Sequence, residues 1–158
     1  MYGKEAASWW PIGIRVVGIL CGLWPTVLFG ATNSYVPAAG GNWSSSGSWS
    51  LGHCPLTTES VEIIVSGSSN KAVYYDWTGA SDFADVLVDG SGGGFYGAIW
   101  QLDHTLTTTN MRLGNTGPAW HWMEGPAHLW VNEYLCVGYG DPGVGHFYMS
   151  VSGAGSGL

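Results

Sequence analysis

The stretches Ala84-Asp85-Val86-Leu87-Val88-Asp89-Gly90, Asn110-Met111-Arg112-Leu113-Gly114 and Tyr134-Leu135-Cys136-Val137-Gly138 decide how this chain reads. Each is a short alternating or β-branched run that stops at a glycine, and the three glycines recur every 24 residues. In that register Leu87, Met111 and Leu135 fall together, as do Thr107 with Val131 and Leu113 with Val137. A period of this length is one coil of a solenoid. A single coil has no partner for its apolar face, and stacking coil on coil buries a continuous core.

Working outward, no segment beyond about residue 31 places apolar residues at i, i+3, i+4 and i+7 over ten or more positions. Short β-type runs recur instead between glycine-rich breaks. They predict strands over residues 60–65, 72–77, 86–88, 105–113, 128–137 and 147–151, with turns at 90–94, 114–118 and 138–143. The expected fold is all-β, a right-handed β-solenoid (β-helix) with coils of about 24 residues. A β-sandwich or jelly roll is the competing architecture for such a pattern.

At the N-terminus, Lys4 and Arg15 precede an uncharged run over residues 16–31, the layout of a secretory signal peptide. With Pro25 inside it, the run is shorter than the roughly 20 residues of a bilayer-spanning helix. The expected organisation is a signal segment over 1–31, helical while it lasts, followed by an exported domain over 32–158. Membrane contact would come only through an uncleaved leader. The closing Ser152-Gly153-Ala154-Gly155-Ser156-Gly157-Leu158 falls inside what reads as a further coil, so additional coils are expected beyond it.

Charge narrows the partners. Charged residues make up 9% of the chain, against about 25% in ordinary soluble domains. After residue 31 only Lys71 and Arg112 stand against ten Asp and Glu, a net charge near −8. Nucleic acid is bound through clustered cations that displace counterions, and two isolated ones exclude it. The same acidity disfavours anionic lipid.

The succession Gly41-Asn42-Trp43-Ser44, Gly47-Ser48-Trp49-Ser50, Pro55 and Ser60-Val61-Glu62-Ile63 resembles the N-terminal opening of bacterial exported β-solenoid surface proteins, the autotransporter-passenger and PEP-CTERM-type repeat proteins. The segments 84–90 and 110–114 are similar to the recurrent coil of those proteins. Ser48 and Ser60 depart from that pattern, which more often has Asn and Asp there, and the coils here are richer in Trp and Tyr. The resemblance implies architecture and surface location rather than an activity.

Three constellations invite chemistry. Asp82, Asp85 and Asp89 could supply oxygen ligands to a structural calcium, or equally cap turns by bonding their own backbone. Trp120, Trp122 and Trp130 could stack on sugar rings. Trp120-His121-Trp122 places both indoles on one face if extended, while the alternative is burial or ladder stacking between coils. Cys54 and Cys136 are an even number in an oxidising compartment, open either to a disulfide or to two separate thiols. His121, Glu124 and His128 lack the spacing of a helical zinc motif, and Gly125-Pro126 would break such a helix.

No nucleophile elbow or diagnostic carboxylate pair emerges. The expectation is an exported structural or adhesive protein of the cell surface or extracellular matrix, without catalysis, that self-associates or holds polysaccharide. The alternatives are a carbohydrate-binding module and a fragment of a polysaccharide-degrading β-helix enzyme.

Overall fold

The computed structural model describes residues 30–91, 93–138 and the strand at 144–149. The expected signal segment lies almost wholly outside them. Ten strands follow in order: β1 (Thr32–Ser34), β2 (Gly41–Asn42), β3 (Ser60–Ile64), β4 (Lys71–Tyr75), β5 (Asp82–Asp89), β6 (Gly97–Gln101), β7 (Thr105–Leu113), β8 (Pro118–Met123), β9 (His128–Val137) and β10 (Val144–Met149).

The odd-numbered strands form one sheet in the order β1-β3-β5-β7-β9, and the even-numbered strands form a second in the order β2-β4-β6-β8-β10. Every pairing between these strands is parallel. Each odd strand with the even strand after it therefore makes one coil, and the architecture is a β-solenoid rather than a sandwich or jelly roll.

The uniform 24-residue period needs correcting. Met111 pairs Leu135 and Leu113 pairs Val137, as that period requires. One coil earlier, Met111 pairs Val86, and Leu87 faces Arg112. Thr107 pairs Trp130 rather than Val131, because the β7–β9 register shifts by one between Thr108 and Asn110. The glycines explain the coincidence. Gly114 and Gly138 adopt φ of 74° and 67°, conformations that favour glycine. Gly90 is required for another reason: a Cβ there would lie 2.2 Å from the Pro118 carbonyl oxygen of the next coil.

Inward positions form columns along the stack. Val61, Val86 and Met111 make one, and Ile63, Val88 and Leu113 another, all at 0% exposure. From the opposite sheet come Val73, Ile99 and His121, in register and buried. The columns continue to Leu135 and Val137 on β9, which are 40% and 42% exposed at the open end of the sheet.

At the other end the segment between β2 and β3 brings two indoles against the core. Trp43 meets Trp49 and Tyr75 edge-on, both at 4.9 Å between centroids, and Phe83 at 5.4 Å. The Trp49 indole N–H donates to the Trp43 carbonyl at 2.7 Å. Buried Asn33 fastens the same segment by donating to the His53 carbonyl and accepting from the Leu51 amide. The tryptophans of the opening motif thus bury large apolar areas and do not face outward.

Cys54 and Cys136 are both free thiols. Cys54 donates to the Ser44 carbonyl in the first coil, whereas Cys136 sits on β9 at the far edge of the odd sheet. The stack holds them apart, so the disulfide reading is corrected to two separate cysteines.

Candidate functional site

The two outer faces differ in chemistry. On the odd sheet the outward groups are largely polar. Ser34 donates to Glu62 at 3.1 Å, and Arg112 pairs with Asp85 through both its Nε, at 3.3 Å, and its Nη2. On the even sheet the outward positions carry rings.

Strand alternation produces that second face. In β4, β6 and β8 the residues Val73, Ile99 and His121 point inward, leaving Ala72 and Tyr74, Ala98 and Trp100, and Trp120 and Trp122 on the outside. Parallel register then aligns them coil by coil. Tyr74, Trp100 and Trp122 form one column, with Tyr148 at the next register position. Tyr74 stacks on Trp100 at 5.4 Å with 22° between planes, and Trp100 meets Trp122 at 5.5 Å and 34°. Each such pair contributes about 0.5–1.5 kcal/mol beyond its area burial.

Beside this ladder runs a second column, Ala72, Ala98 and Trp120. Two coils there offer only a methyl group, and the space left is an outward-opening groove of about 300 Å³. Its lining is Ala72, Tyr96, Ala98, Ile99, Trp100, Trp120 and Trp122, with no charged side chain. Tyr96 and Trp120 meet at 5.8 Å and close one side. The Trp122 indole N–H is fixed by Glu124 at 2.6 Å. The Trp100 N–H is shielded from water and has no acceptor among the described residues, a cost of about 1–3 kcal/mol that the ladder must offset.

Trp120 and Trp122 therefore share one face, as their spacing requires. Trp130 does not join them: it lies on β9 in the other sheet, 56% exposed. Reading along the sequence missed Tyr74, Tyr96 and Trp100. Tyr74 and Trp100 sit 26 positions apart and Trp100 and Trp122 sit 22 apart, because turn lengths vary between coils. A fixed period cannot find such a column.

The carboxylates of β5 have other work. Asp89 accepts from the backbone amides of Asn115, Thr116 and Gly117 at 2.8, 3.0 and 3.2 Å and from the Thr116 hydroxyl at 2.8 Å, so it organises the turn of the following coil. Asp85 is taken by Arg112, and Asp82 is exposed. Among the described residues no group of three or more His, Cys, Asp and Glu could hold a metal. The turn-organising reading of Asp89 replaces the calcium reading of this trio.

His121 is likewise structural. It is fully buried, with Nε2 2.9 Å from Gln101 Oε1. Gln101 Nε2 donates to the carbonyls of His104 and His128 at 2.5 and 2.6 Å, so Oε1 is left as acceptor and His121 Nε2 carries the proton. Burial lowers the imidazole pKa to about 3, which keeps the ring neutral. Glu124, bonded to Trp122, and His128 do not assemble with it.

A second, more polar hollow of about 400 Å³ lies where the even strands turn toward the odd sheet, among Trp77, Thr78, Ser81, Asp103 and His104. His104 Nε2 is 3.1 Å from Asp103 Oδ1, and Ser81 donates its hydroxyl to the Thr105 carbonyl. Comparison with protein-family models, curated proteins and solved structures finds no match to this chain. What fold and site together define is a class: a two-sheet parallel β-solenoid with one polar and one aromatic outer face.

Proposed function

We propose that this chain is an exported, non-catalytic adhesive protein of the cell surface or extracellular matrix, and that its adhesive face is the outer side of the even sheet, which holds polysaccharide. One observation carries the reading: the ladder of Tyr74, Trp100 and Trp122 borders an uncharged, outward-opening groove walled by Trp120 and Tyr96. Large rings on a water-facing surface forfeit the burial that ordinarily stabilises them, and a contiguous exposed apolar patch marks a place where something docks. Sugar rings suit aromatic walls because their C–H faces are apolar while their hydroxyls stay in water. The N-terminal layout of positive residues before an uncharged run supports export. The solenoid supplies a rigid backbone for such a face, since each coil is hydrogen-bonded to its neighbours.

The test is a titration with a panel of soluble polysaccharides, followed by tryptophan fluorescence. Saturable change with at least one polymer is expected. Trp100→Ala or Trp120→Ala should weaken that binding tenfold or more, equivalent to about 1.4 kcal/mol. Trp130→Ala, on the other sheet, should leave it within twofold. A flat response to every polymer, or equal losses for all three variants, would refute the assignment.

A further inference from the structure

The groove also indicates which sugars it takes, an inference that rests on the polysaccharide-binding reading above. In the ladder column Tyr74, Trp100 and Trp122, all three coils supply a ring. In the neighbouring column only the last of three does: Ala72, Ala98, then Trp120. Adjacent strands lie about 4.8 Å apart, so a ring placed over Ala98 would sit one strand spacing from Trp120. The ladder rings beside it are separated by 5.4 and 5.5 Å. The vacant place is thus bounded along the stack by an indole and sideways by Trp100 and Tyr96.

We propose that the slot over Ala98 receives one pyranose ring of a neutral, β-1,4-linked polysaccharide whose ring hydroxyls are all equatorial, of the glucan or chitin type. The ring occupies the position that Trp120 fills one coil further on. Three features select this class. The slot's seven lining residues carry no charge and few polar atoms, so an inserted ring must present C–H surface; an axial hydroxyl would be pressed against an indole or a methyl group without a partner. Equatorial hydroxyls instead project from the ring edge toward the open side, where water satisfies them. The chain's acidity, near −8 after residue 31, repels uronate polymers.

The experiment fills the slot from within. Ala98→Trp builds the missing ring of the column, and Ala98→Leu is a smaller filling that covers the case in which Trp does not fold. Wild type and both variants are compared by retention on insoluble cellulose and chitin, by competition with a mannan, a galactan and polygalacturonate, and by thermal melting. Wild type is expected to be retained on cellulose or chitin, at least tenfold more strongly than a folded filled variant, whose melting temperature stays level or rises because a new stacked pair forms. Competition by polymers with axial hydroxyls or carboxylates should be weak. If wild type is retained and a folded filled variant is retained within twofold, the slot assignment falls while polysaccharide binding stands. Preference for the axial or acidic polymers would overturn the ligand class. If wild type responds to no polysaccharide in either this or the fluorescence assay, the functional reading falls and this inference with it.

Discussion

Acid should loosen this fold through His121, by an amount that can be worked out. The imidazole is buried among the even-sheet interior, its pKa is lowered to about 3, and its ordinary unfolded value is about 6.5. The unfolded chain therefore binds a proton that the folded chain refuses, and stability falls as pH drops below 6.5. At pH 7.5 both states are neutral and the group costs almost nothing. At pH 4.5 the unfolded imidazole is two units below its pKa, worth about 2.7 kcal/mol at 1.36 kcal/mol per unit. That figure depends on the unfolded pKa and hardly at all on the folded one, provided the latter lies well under 4.5. Carboxylates such as Asp85 and Asp89 also lose stabilising bonds in acid, so the wild-type curve alone is not diagnostic. His121→Gln isolates the effect, since a glutamine amide can still donate to Gln101 without titrating. Urea denaturation of both proteins at pH 7.5 and 4.5 gives four free energies. Wild type should lose about 2.7 kcal/mol more than the variant between the two pH values. Equal losses, within about 0.5 kcal/mol, would show that the ring is not held neutral in the core and would refute the reasoning.

Two further outcomes follow from the packing. Asp89→Ala strips acceptors from three backbone amides and a hydroxyl in the turn at 115–117; with hydrogen bonds to a charged group worth about 1.5–3 kcal/mol, chemical denaturation should show a loss of about 2–4 kcal/mol that added calcium does not restore. For the cysteines, mass spectrometry after alkylation without reductant should find Cys54 and Cys136 both modified once the chain is unfolded, and a Cys54-to-Cys136 cross-linked peptide would contradict the fold. Cys54, buried and with its thiol pKa pushed up by that burial, should react more slowly than Cys136 in the native protein.

The strands that read most clearly from sequence are those whose pattern agrees with their burial. Residues 105–113 and 128–137 were expected as strands and are β7 and β9. β6 and β8 were not anticipated, and both break the usual code. β8 points His121 inward and Trp120 and Trp122 outward, so hydropathy assigns its faces the wrong way round. β6 begins at Gly97, where a Cβ would meet the Asp89 carbonyl oxygen at 2.6 Å, and a glycine at that point reads as a break. Lys71 opens β4 in a buried position, its ammonium donating to the Tyr35 and Ile64 carbonyls at 3.1 and 2.7 Å. No local pattern announces a lysine used in this way.

By itself the sequence determined that the chain is all-β, that it is built from stacked coils, and that Trp120 and Trp122 share a face. These follow from local periodicity, from turn residues and from the two-residue repeat of an extended strand, none of which needs a long-range contact. Only the tertiary structure decided which rings enter the core, which carboxylates are already engaged and where the groove lies. The reason is that turn lengths differ from coil to coil. The residue beside Trp100 is fixed not by any constant spacing but by the register each turn imposes, and that register alone brings Tyr74, Ala98 and Trp120 together from three separate strands.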